Sequence, residues 1–235
     1  MVSTDTVTFA ASATDTVSGS GAKINLATGD VITASSDTVT LLAGAAATLT
    51  GTGNTITVAS GNTLTLSASS TDTITGSGAA INAANGDVLT VSNNTINFGA
   101  SATATVTGSG NTINAANGDK LTASSDTVNV AASATATLTG SSNTINAGKS
   151  DTLTVTGATN DAFVFQPAFG VDTINGFAAT DQATFSVSDF ANWSALLSHM
   201  TQSGSNTVIT LDASDTITLT GVTKSNLLQS QFHFQ

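Results

Sequence analysis

The chain has 235 residues, four Lys, no Arg, fifteen acids that are all Asp, and a net charge of −11. So little positive charge excludes a nucleic-acid partner held through its phosphates. Without cysteine no disulfide can staple the fold, and no stretch is apolar for long enough to span a membrane, so no membrane insertion is expected.

About a fifth of the residues are Thr, with Ala, Ser, Asn and Gly supplying much of the rest. Asp bonds its own backbone and suits turns, whereas Glu suits helices. An Asp-only acid set predicts many turns and few helices. The start, Met1-Val2-Ser3-Thr4-Asp5, has no basic region followed by an apolar core. It does not read as a cleavable secretory signal.

From the first residues the sequence repeats. A Thr-Gly-Ser-Gly-Asn-like segment recurs with its first glycine at Gly19, Gly51, Gly76, Gly108 and Gly140, in steps of 32, 25, 32 and 32 residues. A finer series of aliphatic residues underlies it: Val7, Val17, Ile24, Ile32, Val39, Leu49, Ile56, Leu64, and onward to Leu153. Its steps run 10, 7, 8, 7 and repeat, except that one step of 7 is missing between Leu64 and Ile74. Many units read polar–apolar–polar, as in Thr55-Ile56-Thr57. That is strand alternation with one inward residue, built from good strand formers. Two places before the inward residue stands an Asx: Asp5, Asp15, Asp37, Asn54, Asn62, Asp72, Asp87, Asn94, Asn111, Asp119, Asp126, Asn143 or Asp151. Such a side chain can satisfy backbone groups at the turn into each strand, while Gly and Ala fill the corners.

Strands this short fold only when stacked. The fold class predicted for residues 1–156 is all-β, a parallel β-helix or β-solenoid with short coils. Two strands per coil give coils of about 15 and 17 residues; a triangular coil of about 25 fits the 32-residue steps less well. Its first strand, Thr4-Asp5-Thr6-Val7-Thr8, has no helix before it and is the candidate assembly edge.

Residues 157–235 differ in composition. Eight of the ten Phe, the single Trp and both His lie there. A helix is expected from Phe190 to about Gln202, with Asp189 as N-cap. Phe190, Trp193, Leu197 and Met200 would share its buried face, and Gly204 would stop it. Two strands follow, Thr207–Leu211 and Thr216–Thr220.

Two segments of this region resemble a known family. Asn160-Asp161-Ala-Phe163-Val-Phe165 and Gly170-Val-Asp172-Thr-Ile174-Asn-Gly-Phe177 resemble the closing turns of repeats-in-toxin (RTX) proteins. Asn206-Thr-Val208 through Leu211-Asp212 and Asp215-Thr-Ile217-Thr-Leu219-Thr-Gly-Val222, with the terminal Phe232-His-Phe234, resemble the C-terminal domain of type I secretion substrates. The resemblance covers about 75 residues. It implies a small β-rich secretion or capping domain, export by type I secretion machinery, and an extracellular or cell-surface location without a cleaved N-terminal signal. It places Leu227, Leu228, Phe232 and Phe234 in the secretion-signal region. The family also implies calcium, and Asp161 and Asp172 are the candidate ligands. Each is a half-match to the nonapeptide, whose paired glycines and Asp surround the ion.

Catalytic chemistry is not expected. His199 and His233 stand apart in sequence, there is no Cys for a metal cluster, and a β-helix lyase or hydrolase would want clustered carboxylates or basic groups on a groove. The expected function is a secreted structural protein that assembles with itself, head to tail, into extracellular filaments or a matrix layer. The alternative is a monomeric rod that binds ice or acts as an adhesin. An ice binder should concentrate its Thr on one flat face.

Overall fold

A computed structural model describes residues 5–157 and 159–235; Thr4 of the candidate edge lies outside the described residues. The chain divides into two compact units, one ending at Ile113 and the other starting at Asn114.

The strands of the first unit are β1 (Thr6–Thr8), β2 (Thr14–Thr16), β3 (Lys23–Leu26), β4 (Val31–Thr33), β5 (Thr38–Leu41), β6 (Ala46–Thr50), β7 (Thr55–Thr57), β8 (Thr63–Leu66), β9 (Thr71–Thr75), β10 (Ala80–Ala83), β11 (Val88–Thr90), β12 (Thr95–Phe98) and β13 (Thr103–Thr107). Odd-numbered strands form one sheet in chain order and even-numbered strands the other. All these pairs are parallel, so each coil contributes one strand to each sheet. This is a β-solenoid with two strands per coil. In-register partners are 15 to 18 residues apart, as the bonds from Ala22 to Asp37 and from Asn54 to Asp72 show.

β14 (Thr112–Ala115) straddles the division. The second unit then has β15 (Lys120–Thr122), β16 (Thr127–Val130), β17 (Thr135–Thr139), β18 (Thr144–Asn146), β19 (Thr152–Thr156), β20 (Ala162–Val164), β21 (Val171–Asn175) and β22 (Gln182–Phe185). Parallel stacking continues past residue 157, with β18 on β20, β19 on β21 and β20 on β22. The chain then makes α1 (Trp193–Ser198), β23 (Met200–Ser203), β24 (Asn206–Thr210), β25 (Thr216–Thr220), two short 3-10 turns, and β26 (Phe232–Phe234). β25 stacks parallel on β21 and closes an antiparallel sheet with β24 and β23. β26 stacks parallel on β22.

The inward series is the core. Every member from Val17 to Leu153 is buried, and only Val7 is half-exposed. In the second unit the core widens into an aromatic cluster. Phe165 stacks on Phe185 at 5.2 Å, and Phe190 meets Phe185 edge-on at 5.2 Å. These contacts explain why eight Phe are concentrated there.

The missing step has a structural consequence. Each step is half a coil, so omitting one moves the repeat to the opposite sheet. The five-residue strand of the repeat is β6, in the even sheet, before the gap; afterwards it is β9 and β13, in the odd sheet.

The expected helix is corrected. It is only Trp193–Ser198, and its N-cap is Asn192, whose side chain accepts the Ala195 N–H at 3.0 Å, not Asp189. Met200 leaves the helix for β23, because pairing with β24 satisfies its backbone. Leu196 fills the buried place and Leu197 is exposed. Gly204, at φ +60°, turns the β23–β24 hairpin.

Candidate functional site

Among the described residues the most ordered polar feature is the set of Asx columns at the turns. Many strands are entered through the same motif. One residue takes a left-handed conformation, the next is a buried Asx, and two places later comes the inward aliphatic. The left-handed residue is Gly53 before Asn54 and Gly118 before Asp119, but Ser36 before Asp37 and Ser125 before Asp126. Glycine adopts this region freely, while Ser does so at some cost.

Most of these Asx accept a backbone N–H one coil earlier, whereas Asn62 accepts the Ala59 N–H of its own turn at 2.7 Å. In the first unit Ala22 donates to Asp37 Oδ1 at 2.8 Å, Asp37 to Asn54 Oδ1 at 3.1 Å, and Asn54 to Asp72 Oδ1 at 2.8 Å. In the second unit Asp126 donates to Asn143 Oδ1 at 3.2 Å, Asn143 to Asp161 Oδ1 at 2.8 Å, and Asp161 to Asp181 Oδ1 at 3.0 Å. A parallel column runs from Ala134 to Asp151 and from Asp151 to Asp172. These columns satisfy backbone donors at the corners that no strand partner reaches.

Asn and Asp do different work here. Asn54, Asn94, Asn111 and Asn143 each also donate Nδ2 to a carbonyl one coil back, at 3.0 to 3.2 Å. Asp30, Asp87, Asp119 and Asp181 instead turn Oδ2 onto the N–H three places earlier in their own turn, at 2.7 to 2.8 Å. At Asp37, Asp72, Asp151, Asp161 and Asp172, Oδ2 is buried with no hydrogen-bond partner.

The two calcium candidates belong to these columns. Asp161 caps β20 and Asp172 lies in β21, and each spends Oδ1 on a backbone N–H. Burial pushes the Asp161 carboxyl up. Burial, with repulsion from Asp151 and Asp215, pushes Asp172 up to about 7 against the N–H bonds that lower it. Calcium takes six to eight oxygens. Among the described residues no three His or Asp side chains form a metal-sized group. The carboxylates alone fall short of that number.

Sequence spacing missed Asp30, Asp181 and Asp215. All three stand two places before an inward residue, and Asp215 Oδ1 accepts the Gly170 N–H at 2.6 Å. The same spacing would have found them.

At the candidate edge, Lys23 donates to Asp5 O at 2.9 Å and Phe9 donates to Asn25 O at 3.3 Å. Residues 5, 7 and 9 therefore face β3. Parallel geometry turns the N–H and C=O of Thr6 and Thr8 the other way. In β2, Val31 donates to Ala13 O and Val17 to Thr33 O, which leaves Thr14 and Thr16 on the corresponding edge.

The secretion-region residues separate. Leu227 and Phe232 are buried, Leu228 is 60 % exposed, and Phe234 is half-buried. Trp193 stacks on Phe232 at 5.2 Å. A groove of about 540 Å³ lies beside them, lined by Trp193, Leu197, Gln202, Thr223, Lys224 and Leu227. His199 bonds Ala195 O at 2.8 Å and packs on Phe190, while His233 is exposed. No described helix is long and apolar enough to cross a membrane.

Comparison with family models and with curated proteins finds no match. The likeness to RTX-type tails rests on the quoted segments.

Proposed function

We propose that this is a secreted structural protein that assembles with itself head to tail into extracellular filaments or a surface layer. The observation that carries it is the self-complementarity of the coil. Coils of the first unit present the same kind of parallel backbone edge and inward residue to the next, and many present an Asx acceptor to the coil before. A surface that fits its own neighbour can fit the same surface on another copy, and such heterologous contacts propagate as filaments. Among the described residues β1 and β2 each have a strand partner on one side only. Export through type I secretion machinery is inferred from the resemblance of the last 75 or so residues.

Negative-stain electron microscopy of the purified chain, with calcium and with chelator, tests this. Fibres of uniform width are expected. Dispersed short particles in both conditions would contradict self-assembly. Fibres that vanish only in chelator would add calcium to the account.

One observation favours the rod that binds ice. Thr38, Thr55, Thr73, Thr90 and Thr107 form an exposed in-register column on the odd sheet. Other Thr columns run on the even sheet, through Thr16, Thr33 and Thr50. Thr is thus shared between the two sheets and is not gathered on one face. Thermal hysteresis of the purified chain separates this reading from the first.

A further inference from the structure

In three of the long strands the two inward places at the start are both alanine: Ala45 and Ala47 at β6, Ala102 and Ala104 at β13, Ala134 and Ala136 at β17. All six are buried. At β9, where the repeat skips a step, the same two places hold Ser70 and Asp72. Ser70 is fully buried and Asp72 is 4 % exposed. Both keep an oxygen, Ser70 Oγ and Asp72 Oδ2, without a hydrogen-bond partner.

The surroundings of Asp72 do not suit a carboxylate charge. Its Oδ1 takes two donors, the N–H of Asn54 at 2.8 Å and Asn54 Nδ2 at 3.2 Å. On the other side its in-register neighbour is the apolar Leu89. The charged group acting on it is Asp87, itself buried and of the same sign, one coil on in the Ser70 column. Among the described residues no Lys or His acts on it. Burying a charge without a counter-charge is costly, and the usual escape is neutralisation.

We propose that the Ser70–Asp72 turn is a proton-binding site built into the break in the repeat, at which the first unit tightens in acid and loosens in base. A proton from solvent on Oδ2 removes the charge that burial penalises. Oδ1 keeps both bonds from Asn54. Burial is the largest influence on this carboxyl and raises it above its ordinary value, repulsion from Asp87 adds to the rise, and the Asn54 bonds oppose it. The sign follows. The folded state holds the proton to a higher pH than the unfolded state, so stability is gained as pH falls through the folded value and is lost as pH rises through it. A carboxylic acid held neutral by a buried site is an established arrangement.

Two readouts on the full chain decide it. The Asp72 carboxyl carbon is followed by NMR, and protection of the Asn54 amide is measured at one pH below and one pH above the midpoint that this titration gives, after correction for intrinsic exchange. We expect the carboxyl to titrate above the ordinary carboxylate value, and Asn54 to be about tenfold less protected above that midpoint, in the manner of local opening. Asp72→Asn should make that protection independent of pH. Restoring the alanine pattern with Ser70→Ala and Asp72→Ala should fold and remove the local titration. An ordinary titration of Asp72 in the parent chain, or equal protection of Asn54 at both pH values, overturns the proposal whether or not the variants fold.

Discussion

Asn54 and Asp72 share a single oxygen. Both the backbone N–H and the side-chain Nδ2 of Asn54 donate to Asp72 Oδ1, at 2.8 and 3.2 Å. Asn143 and Asp161 repeat the arrangement in the second unit, at 2.8 and 3.3 Å. An amide placed above a carboxylate is thus the joint by which one coil is fastened to the next. Most of the chain's acids are spent on fastening.

Asn143→Ala should therefore cost about 2–4 kcal/mol. It strands the buried N–H of Asp126 and the carbonyl of Ala123, each worth roughly 1–3 kcal/mol when left unpaired. Asn129→Ala removes only an outward amide that bonds its neighbours Asn114 and Asn146. It should cost less than about 1 kcal/mol. Urea unfolding of the two variants beside the parent measures both. Equal losses would mean the Asx columns carry no special load.

Glycine matters at one type of corner. Gly108 has φ +129°, and a Cβ there would lie 2.0 Å from the Val91 carbonyl oxygen. Backbone cannot give way cheaply, so Gly108→Ala should cost several kcal/mol, on the order of 3 or more. Gly44, at φ +69°, has open space around it. Gly44→Ala should cost only about 1 kcal/mol, the conformational part. Thermal melting of the pair separates the two causes.

Much of this was legible in the sequence, and the failures are instructive. The series through Ile24, Ile32 and Val39 fixed strands, spacing and core, because a parallel stack demands the same inward residue in every coil. The Asx spacing exposed the turn caps. It misread Asp72, which stands two places before Ile74 but lies inside β9, because the cap place there is taken by Ser70. The left-handed serines were not legible, since nothing in Ser-Ser-Asp distinguishes a corner from a loop. The helix was drawn too long because Met200 fits a helical stripe as well as it fits β23. There, tertiary pairing overrides local pattern.

Acid should stabilise the second unit. Asp172 is pushed up to about 7 by burial first, then by Asp151 and Asp215, while Asp151, Asp161 and Asp181 are also raised by burial. A folded-state value above the unfolded one means that protons stay bound longer in the folded chain. Stability should then fall as pH rises from about 4 to about 7 and level off above. Melting temperature measured from pH 4 to pH 9 tests the sign, and Asp172→Asn should flatten part of the slope.

Trp193, the only tryptophan, reports on the C-terminal cluster through its stack on Phe232. Phe232 is 4 % exposed, so Phe232→Ala should cost about 3 kcal/mol. Trp193 emission should shift to the red at lower urea in that variant. An unchanged transition would mean that β26 does not hold this part of the unit.

The central claim, that coils of one copy stack on coils of another, is tested most directly at the edge. Thr8→Pro with Thr16→Pro removes one edge N–H from each sheet while leaving the backbone bonds to β3 and β4, because proline is tolerated where the N–H faces outward; the exposed side-chain bond from Asn25 to Thr8 is lost with it. Sedimentation velocity of the parent chain should show large, concentration-dependent assemblies, and the proline variant should sediment as a folded monomer. A parent chain that stays monomeric, or a variant that assembles equally well, would contradict stacking through these strands.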